Sequence, residues 1–192
     1  FMSINLNDIK TMLEYAFDKA HIQKYDVCQL WSYLGCDLLF DKDNGNYAYP
    51  IIGSLKFVNK NTGQQQEYSY NPNSPLTDYH AVIFYCHNNT WSLVDFSTNH
   101  LFIKEVQYPK INPYITSETS IANLVTINIP DLTGSTTSKD IDSKINTLSP
   151  ICEENENYLY EFKPSKCFIE IPEDNKLELK KLEKMLSLEY LE

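Results

Sequence analysis

The stretch "DYHAVIFYCHNNTWSLVDFS", residues 78–97, constrains the fold more than any other. It holds two strand-length runs rich in β-branched and aromatic residues. Between them lies His87-Asn88-Asn89, and asparagine tolerates the positive φ that tight hairpin turns require. The chain must therefore build antiparallel sheet here. Side chains alternate with period two along each strand, so the turn decides which residues share a face. A turn at His87-Asn88 sets His80 opposite Asp95. A turn at Asn88-Asn89 sets Val82 opposite Asp95 and makes His80 a diagonal neighbour. Either register puts His80 and Asp95 on one face at the open end of the hairpin. An aspartate beside a histidine fixes one tautomer and stabilises the imidazolium, which is useful next to a nucleophile.

The segments before the hairpin are helical. "NLNDIKTMLEYAFDKA" carries Leu6, Ile9, Leu13, Ala16 and Phe17 at helical spacing, predicting a helix over 6–20. "YDVCQLWSYLGCDLLF" repeats the pattern with Val27, Leu30, Trp31, Leu34 and Leu38. Asp26 suits its N-cap, and Gly35 weakens its end. "DKDNGNYAYP" reads as a loop, and "SLKFVNKNTGQQQEYSY" as a hairpin turning at Asn61-Thr62-Gly63. "HLFIKEVQY" continues as a strand, 109–122 is irregular, and "NLVTINI" is another strand. "PDLTGSTTS" is polar, and "KDIDSKINTL" is a short helix closed by Pro150. "NYLYEF" and "CFIEI" read as two strands joined by a turn at Lys163-Pro164-Ser165-Lys166, and "NKLELKKLEKMLSLEYLE" as a terminal helix. Helices followed by mostly antiparallel strands make this an α+β chain, read as one domain over 1–192. Trp31 and Trp91 read as core residues.

Charge narrows the partners. The formal net charge is -10, and the 16 basic residues are all lysine. A nucleic-acid surface calls for a basic face and for arginine forks, and an anionic membrane surface for basic clusters, so neither partner is expected. A protein or peptide partner fits better. No apolar run approaches the roughly 20 residues of a membrane span, and the start of the chain lacks a basic region followed by an apolar stretch. The five cysteines have no CxxC or zinc-ligand spacing, so reduced thiols in a cytoplasmic compartment, with no metal and no organic cofactor, are the expectation. Cys86 and His87 are strand neighbours pointing to opposite faces and do not form a metal pair. Cys36 lies about 12 Å along the helix from Cys28 and cannot bridge to it.

Cys28 is the candidate nucleophile. Capped by Asp26 it would occupy the second position of its helix, where the partial positive charge favours a thiolate. Its backbone N–H and the side-chain amide of Gln23, five residues upstream, are candidate oxyanion donors.

The chain order Cys, His, Asp, the cysteine at a helix start, and "HAVIFY…TWSLVDFS" resemble the papain-like and transglutaminase-like cysteine enzyme superfamily over residues 20–100. The resemblance implies that Cys28 is the nucleophile, His80 the general base and acid, and Asp95 the orienter. It implies a nucleophile helix packed on an antiparallel sheet. Asp78-Tyr79-His80-Ala81-Val82 is also similar to the Asp-Tyr-His-Val-Val segment of N-terminal glutamine amidohydrolases. The sequence departs from the superfamily's pattern where Val27 and Gln29 flank the cysteine and Phe96 follows Asp95. It also lacks the amidohydrolases' Cys-Glu-Glu-Asn and Asp-Arg-Ser-His segments.

The function this implies is a thiol amidohydrolase or acyltransferase acting on protein glutamine through a thioester, a deamidase or transglutaminase-like enzyme. A cysteine peptidase is the second expectation. The third is a catalytically inactive binding module on the same fold. A small acidic arginine-free protein of this type also suits a bacterial effector that modifies host proteins, reaching the host cell without a cleavable signal peptide. Substrate choice would rest on the loops at 41–50, 71–78 and 109–122.

Overall fold

The structure is a computed structural model that describes residues 5–24, 27–74, 78–98, 101, 123–168 and 171–190, with side chains to 187 in the last segment. Four α-helices are described: α1 (Leu6–Ala20), α2 (Cys28–Leu39), α3 (Ser138–Ile145) and α4 (Glu173–Tyr190). Seven strands accompany them: β1 (Tyr47–Asn59), β2 (Gln65–Tyr68), β3 (His80–His87), β4 (Thr90–Asp95), β5 (Val125–Asn128), β6 (Ile151–Glu154) and β7 (Tyr158–Cys167). The chain is α+β, as its element pattern indicates. Among the described residues no helix is long and apolar enough to cross a membrane.

All strand pairings are antiparallel, in the order β5-β4-β3-β1-β7-β6, and the outer strands β5 and β6 approach so that the sheet nearly closes. The 13-residue β1 is the spine. One of its edges carries β3 and then β2 end to end; the other carries β7. His80 therefore starts β3 where β2 stops, paired with Gly53. Gly53 is dictated by crowding: a Cβ there would sit 2.2 Å from the Lys163 carbonyl oxygen. The β1–β7 register also slips at Ile52/Gly53, a bulge.

Strand alternation sorts the core into two layers. Val82, Phe84, Trp91, Leu93, Tyr160 and Phe162 fill the side enclosed by the sheet, with Ile141 and Ile145 of α3. Ile83, Tyr85, Val94 and Phe96 face the other side and meet Leu13, Phe17, Leu30 and Trp31 of α1 and α2, and Leu182 and Leu186 of α4. Trp31 stacks on Phe17 at 4.5 Å and is fully buried, as is Trp91 to within 2%. Gly35 has a packing role in α2. It lies inside the helix, and a Cβ there would approach Ile83 to 2.5 Å, so glycine lets α2 lie close on the sheet.

Other expectations shift. The residues Lys163-Pro164-Ser165-Lys166 are not a turn but the later part of the continuous β7. Pro164 is tolerated there because it sits opposite Gly53 at the bulge, where regular pairing lapses. The real turn precedes β7, where the Asn155 side chain accepts from the backbone N–H of Asn157 and Tyr158. The loop expected at 41–50 is short: Asp41 pairs with Asn46, and β1 begins at Tyr47. "PDLTGSTTS" is ordered by a 3₁₀ turn over Pro130–Leu132 and by a capping box of Thr137 and Asp140 that starts α3. The strand expected in "HLFIKEVQY" and the irregular 109–122 lie outside the described residues apart from Leu101.

Candidate active site

The hairpin turns at Asn88-Asn89, both with positive φ (51° and 60°), and His87 pairs with Thr90. This is the second of the two registers, with His80 and Asp95 as diagonal neighbours. The two side chains meet: His80 Nε2 lies 2.7 Å from Asp95 Oδ2. Each residue is only 1% exposed.

Asp95 is held from three directions. Tyr160 of β7 donates its hydroxyl to Oδ2 at 2.7 Å, and the backbone N–H of Ser97 donates to Oδ1 at 2.8 Å. A buried carboxylate needs such donors to offset its lost hydration. Lys10 of α1 donates its ammonium to the carbonyl of Phe96, next in the chain, and lies 4.4 Å from the centre of the Trp31 ring. Burial pulls the Lys10 pKa down to about 8, with Lys24 acting in the same direction and Glu14 and Asp95 opposing.

Cys28 is the first residue of α2, one position earlier than expected. Val27 occupies the cap position and makes no side-chain cap bond; the expected cap, Asp26, lies outside the described residues. Starting a helix places the Cys28 backbone N–H among those without an intrahelical partner. Cys28 keeps 9% of its surface exposed and packs with Ile52, Ala81, Phe168 and Ile171. It also acts directly on His80. Burial alone would lower the His80 pKa. The charge and hydrogen bond of Asp95, and then the hydrogen bond and charge of Cys28, outweigh burial and raise it to about 10. With Nε2 given to Asp95, the other ring nitrogen, Nδ1, is left for the thiol.

The structure thus brings Cys28, His80 and Asp95 together. Gln23 is exposed in the segment before α2. The amide buried beside the thiol is that of Gln29, whose Oε1 lies 3.7 Å from Cys28 Sγ and whose Nε2 donates to Asn175 of α4 at 2.9 Å. Gln29, Tyr160 and Lys10 were missed in the sequence. The only signal for Lys10 was its place on the apolar stripe of α1, between Leu6 and Leu13.

The remaining cysteines are also placed. All five thiols are free. Cys86 faces the enclosed core while the His87 ring meets Asn46, so the two diverge. Among the described residues no group of three or more His, Cys, Asp or Glu side chains could hold a metal ion. Comparison with protein-family models, curated proteins and solved structures finds no match to the chain.

Proposed function

We propose that this chain is a cysteine-dependent acyl-transfer enzyme of papain-like or transglutaminase-like type, acting on the side-chain amide of protein glutamine. One observation carries the reading: Cys28, at the start of α2, acts on a His80 ring whose far nitrogen is 2.7 Å from Asp95. A nucleophile, a proton carrier and an orienter in that sequence are the parts thiol acyl transfer needs.

In the proposed reaction Cys28 attacks the amide carbon as the thiolate whose proton is carried by His80, forming an S–C bond and a tetrahedral oxyanion. The Cys28 backbone N–H, free at the helix start, faces that oxygen as a donor. His80, protonated at neutral pH, gives its proton to the leaving nitrogen as the C–N bond breaks and ammonia departs. Neutral His80 then takes a proton from water, or from an amine, as it attacks the thioester. The thiolate leaves, and the proton remains on His80. Asp95 holds the ring throughout.

The test is ammonia release from glutamine-bearing peptides by wild type and by Cys28→Ala. Release by wild type alone supports the proposal. Cleavage of a peptide library without ammonia release would make the chain a peptidase instead. The burial of His80 and Asp95, at 1% exposure each, favours a second reading, a catalytically silent binding module that keeps the pair as a core contact. An inert Cys28 would support it.

A further inference from the structure

Further along α2 from Cys28 lies a cavity of about 380 Å³ between α2, the start of β1 and the end of β7. Tyr33 and Phe168 form its near wall. Both also pack against the Cys28 cluster, and their rings meet edge-on at 5.9 Å. Phe40 and Tyr49, 6.0 Å apart, form the far wall, and Asp37 stands at the side. Four aromatic rings and one carboxylate stand around the space, and among the described residues no lysine lines it.

The electrostatics point one way. Asp37 makes no ion pair among the described residues. Partial burial and the nearby charge of Glu183 on α4 both raise its pKa, so negative charge gathers at this edge of the cavity, where Asp37 stays exposed to solvent. The two thiols of the lining stay neutral: burial pushes Cys36 well up, and Cys167 up to about 12. Aromatic faces attract cations, and a carboxylate beside them adds directional charge. A cation reaching the rim gains the attraction of exposed Asp37 that an apolar guest does not, and an anion would be repelled.

We infer that this cavity is a specificity pocket for a lysine or arginine side chain of the protein substrate, set a few residues from the one that reacts at Cys28. The inference rests on the acyl-transfer reading for its substrate, not for the pocket itself. Asp37 is nine positions after Cys28, about 13 Å along the helix axis. An extended peptide advances roughly 3.4 Å per residue, and a long basic side chain spans part of the gap, so the basic residue falls roughly two to four positions from the reacting glutamine.

Binding to Cys28→Ala protein separates the pocket from the chemistry. Fluorescent glutamine peptides carry lysine, arginine or norleucine at each position from one to four residues away, and Kd is read by polarisation. Lysine or arginine should bind at least about fivefold more tightly than norleucine at one position, with the gain shrinking in high salt. Asp37→Asn and Glu183→Gln should each reduce that gain, with circular dichroism checking that they fold. Equal binding of norleucine, no measurable binding of any peptide, or a gain untouched in both variants would overturn the pocket. A basic preference in binding, combined with no turnover by wild type, would instead keep the pocket and remove the enzyme.

Discussion

Tyr160 donates its hydroxyl to Asp95 at 2.7 Å, on the same carboxylate oxygen that faces His80. The tyrosine comes from β7 and the aspartate from the end of β4, 65 residues apart, so Asp95 is held by a strand outside the hairpin that carries it. Tyr160→Phe keeps the ring and removes that donor. It should lower stability by about 1–3 kcal/mol, the cost of leaving a buried charged acceptor short of a partner. It should also lower kcat/KM about tenfold while leaving KM nearly unchanged, because the group acts through Asp95 on His80. Urea unfolding and steady-state kinetics check the two halves.

Gly53 is the tightest point beside the site. A methyl group there meets a backbone carbonyl, which cannot rotate away. Gly53→Ala should cost about 2–4 kcal/mol, within the range of severe overpacking, and displace the start of β3. Gly35→Ala meets the Ile83 side chain instead, which can change rotamer, and should cost less. Denaturation midpoints of the two variants decide the order.

Stability should depend on pH through His80 and Lys10 with opposite signs. His80 has its folded pKa raised to about 10 from an ordinary 6.5, so it binds more protons folded than unfolded across that window. Its stabilisation is complete below about pH 6.5 and is lost as pH rises toward 10. Lys10 is lowered from 10.5 to about 8, so the folded state binds fewer protons there and stability rises with pH over that interval. Stability should fall from pH 6.5 to 8, level between about pH 8 and 9 where the two groups offset each other, and fall again above that, where the raised thiols of buried Cys36 and Cys167 add to the decline. In Lys10→Met the decline should continue toward pH 10. Unfolding free energies by urea at half-unit intervals provide the check; a rise between pH 6.5 and 8 would contradict the His80 assignment.

Gln29 links the thiol to α4 through Asn175. Gln29→Ala leaves the Asn175 side chain one partner short and should cost about 1 kcal/mol. It also frees Cys28 from its neighbour's carbonyl oxygen, so alkylation of Cys28 should change while that of Cys152 does not. Peptide-resolved labelling reads both.

Much of this was legible because local rules dominated locally. The Leu6 to Phe17 stripe fixes α1, and the asparagine pair of the hairpin supplies the positive φ that brings His80 and Asp95 onto one face. What escaped depends on distant chain. Pro164 looks like a turn until Gly53 is seen opposite it at the bulge. Gly35 looks only like a weak point near the end of a helix until Ile83 and Phe96 lie against it. Within "NYLYEF" Tyr160 reads only as a strand aromatic, since nothing local ties it to a carboxylate 65 residues earlier. Lys10 is buried because a carbonyl and an indole ring from other elements receive its charge.

The central claim is that Cys28 and His80 act as one chemical unit. The direct measurement is the alkylation rate of every cysteine against pH, resolved by peptide mass spectrometry, on folded wild type, His80→Ala and His80→Gln. Exposed Cys152 serves as the internal reference, and buried Cys36 and Cys167 report global opening. Cys28 should react faster than Cys152 below pH 7, and this advantage should disappear in both His80 variants while Cys36 and Cys167 stay protected. A Cys28 that reacts no faster than Cys152 at any pH, or that keeps its rate without His80, would contradict it.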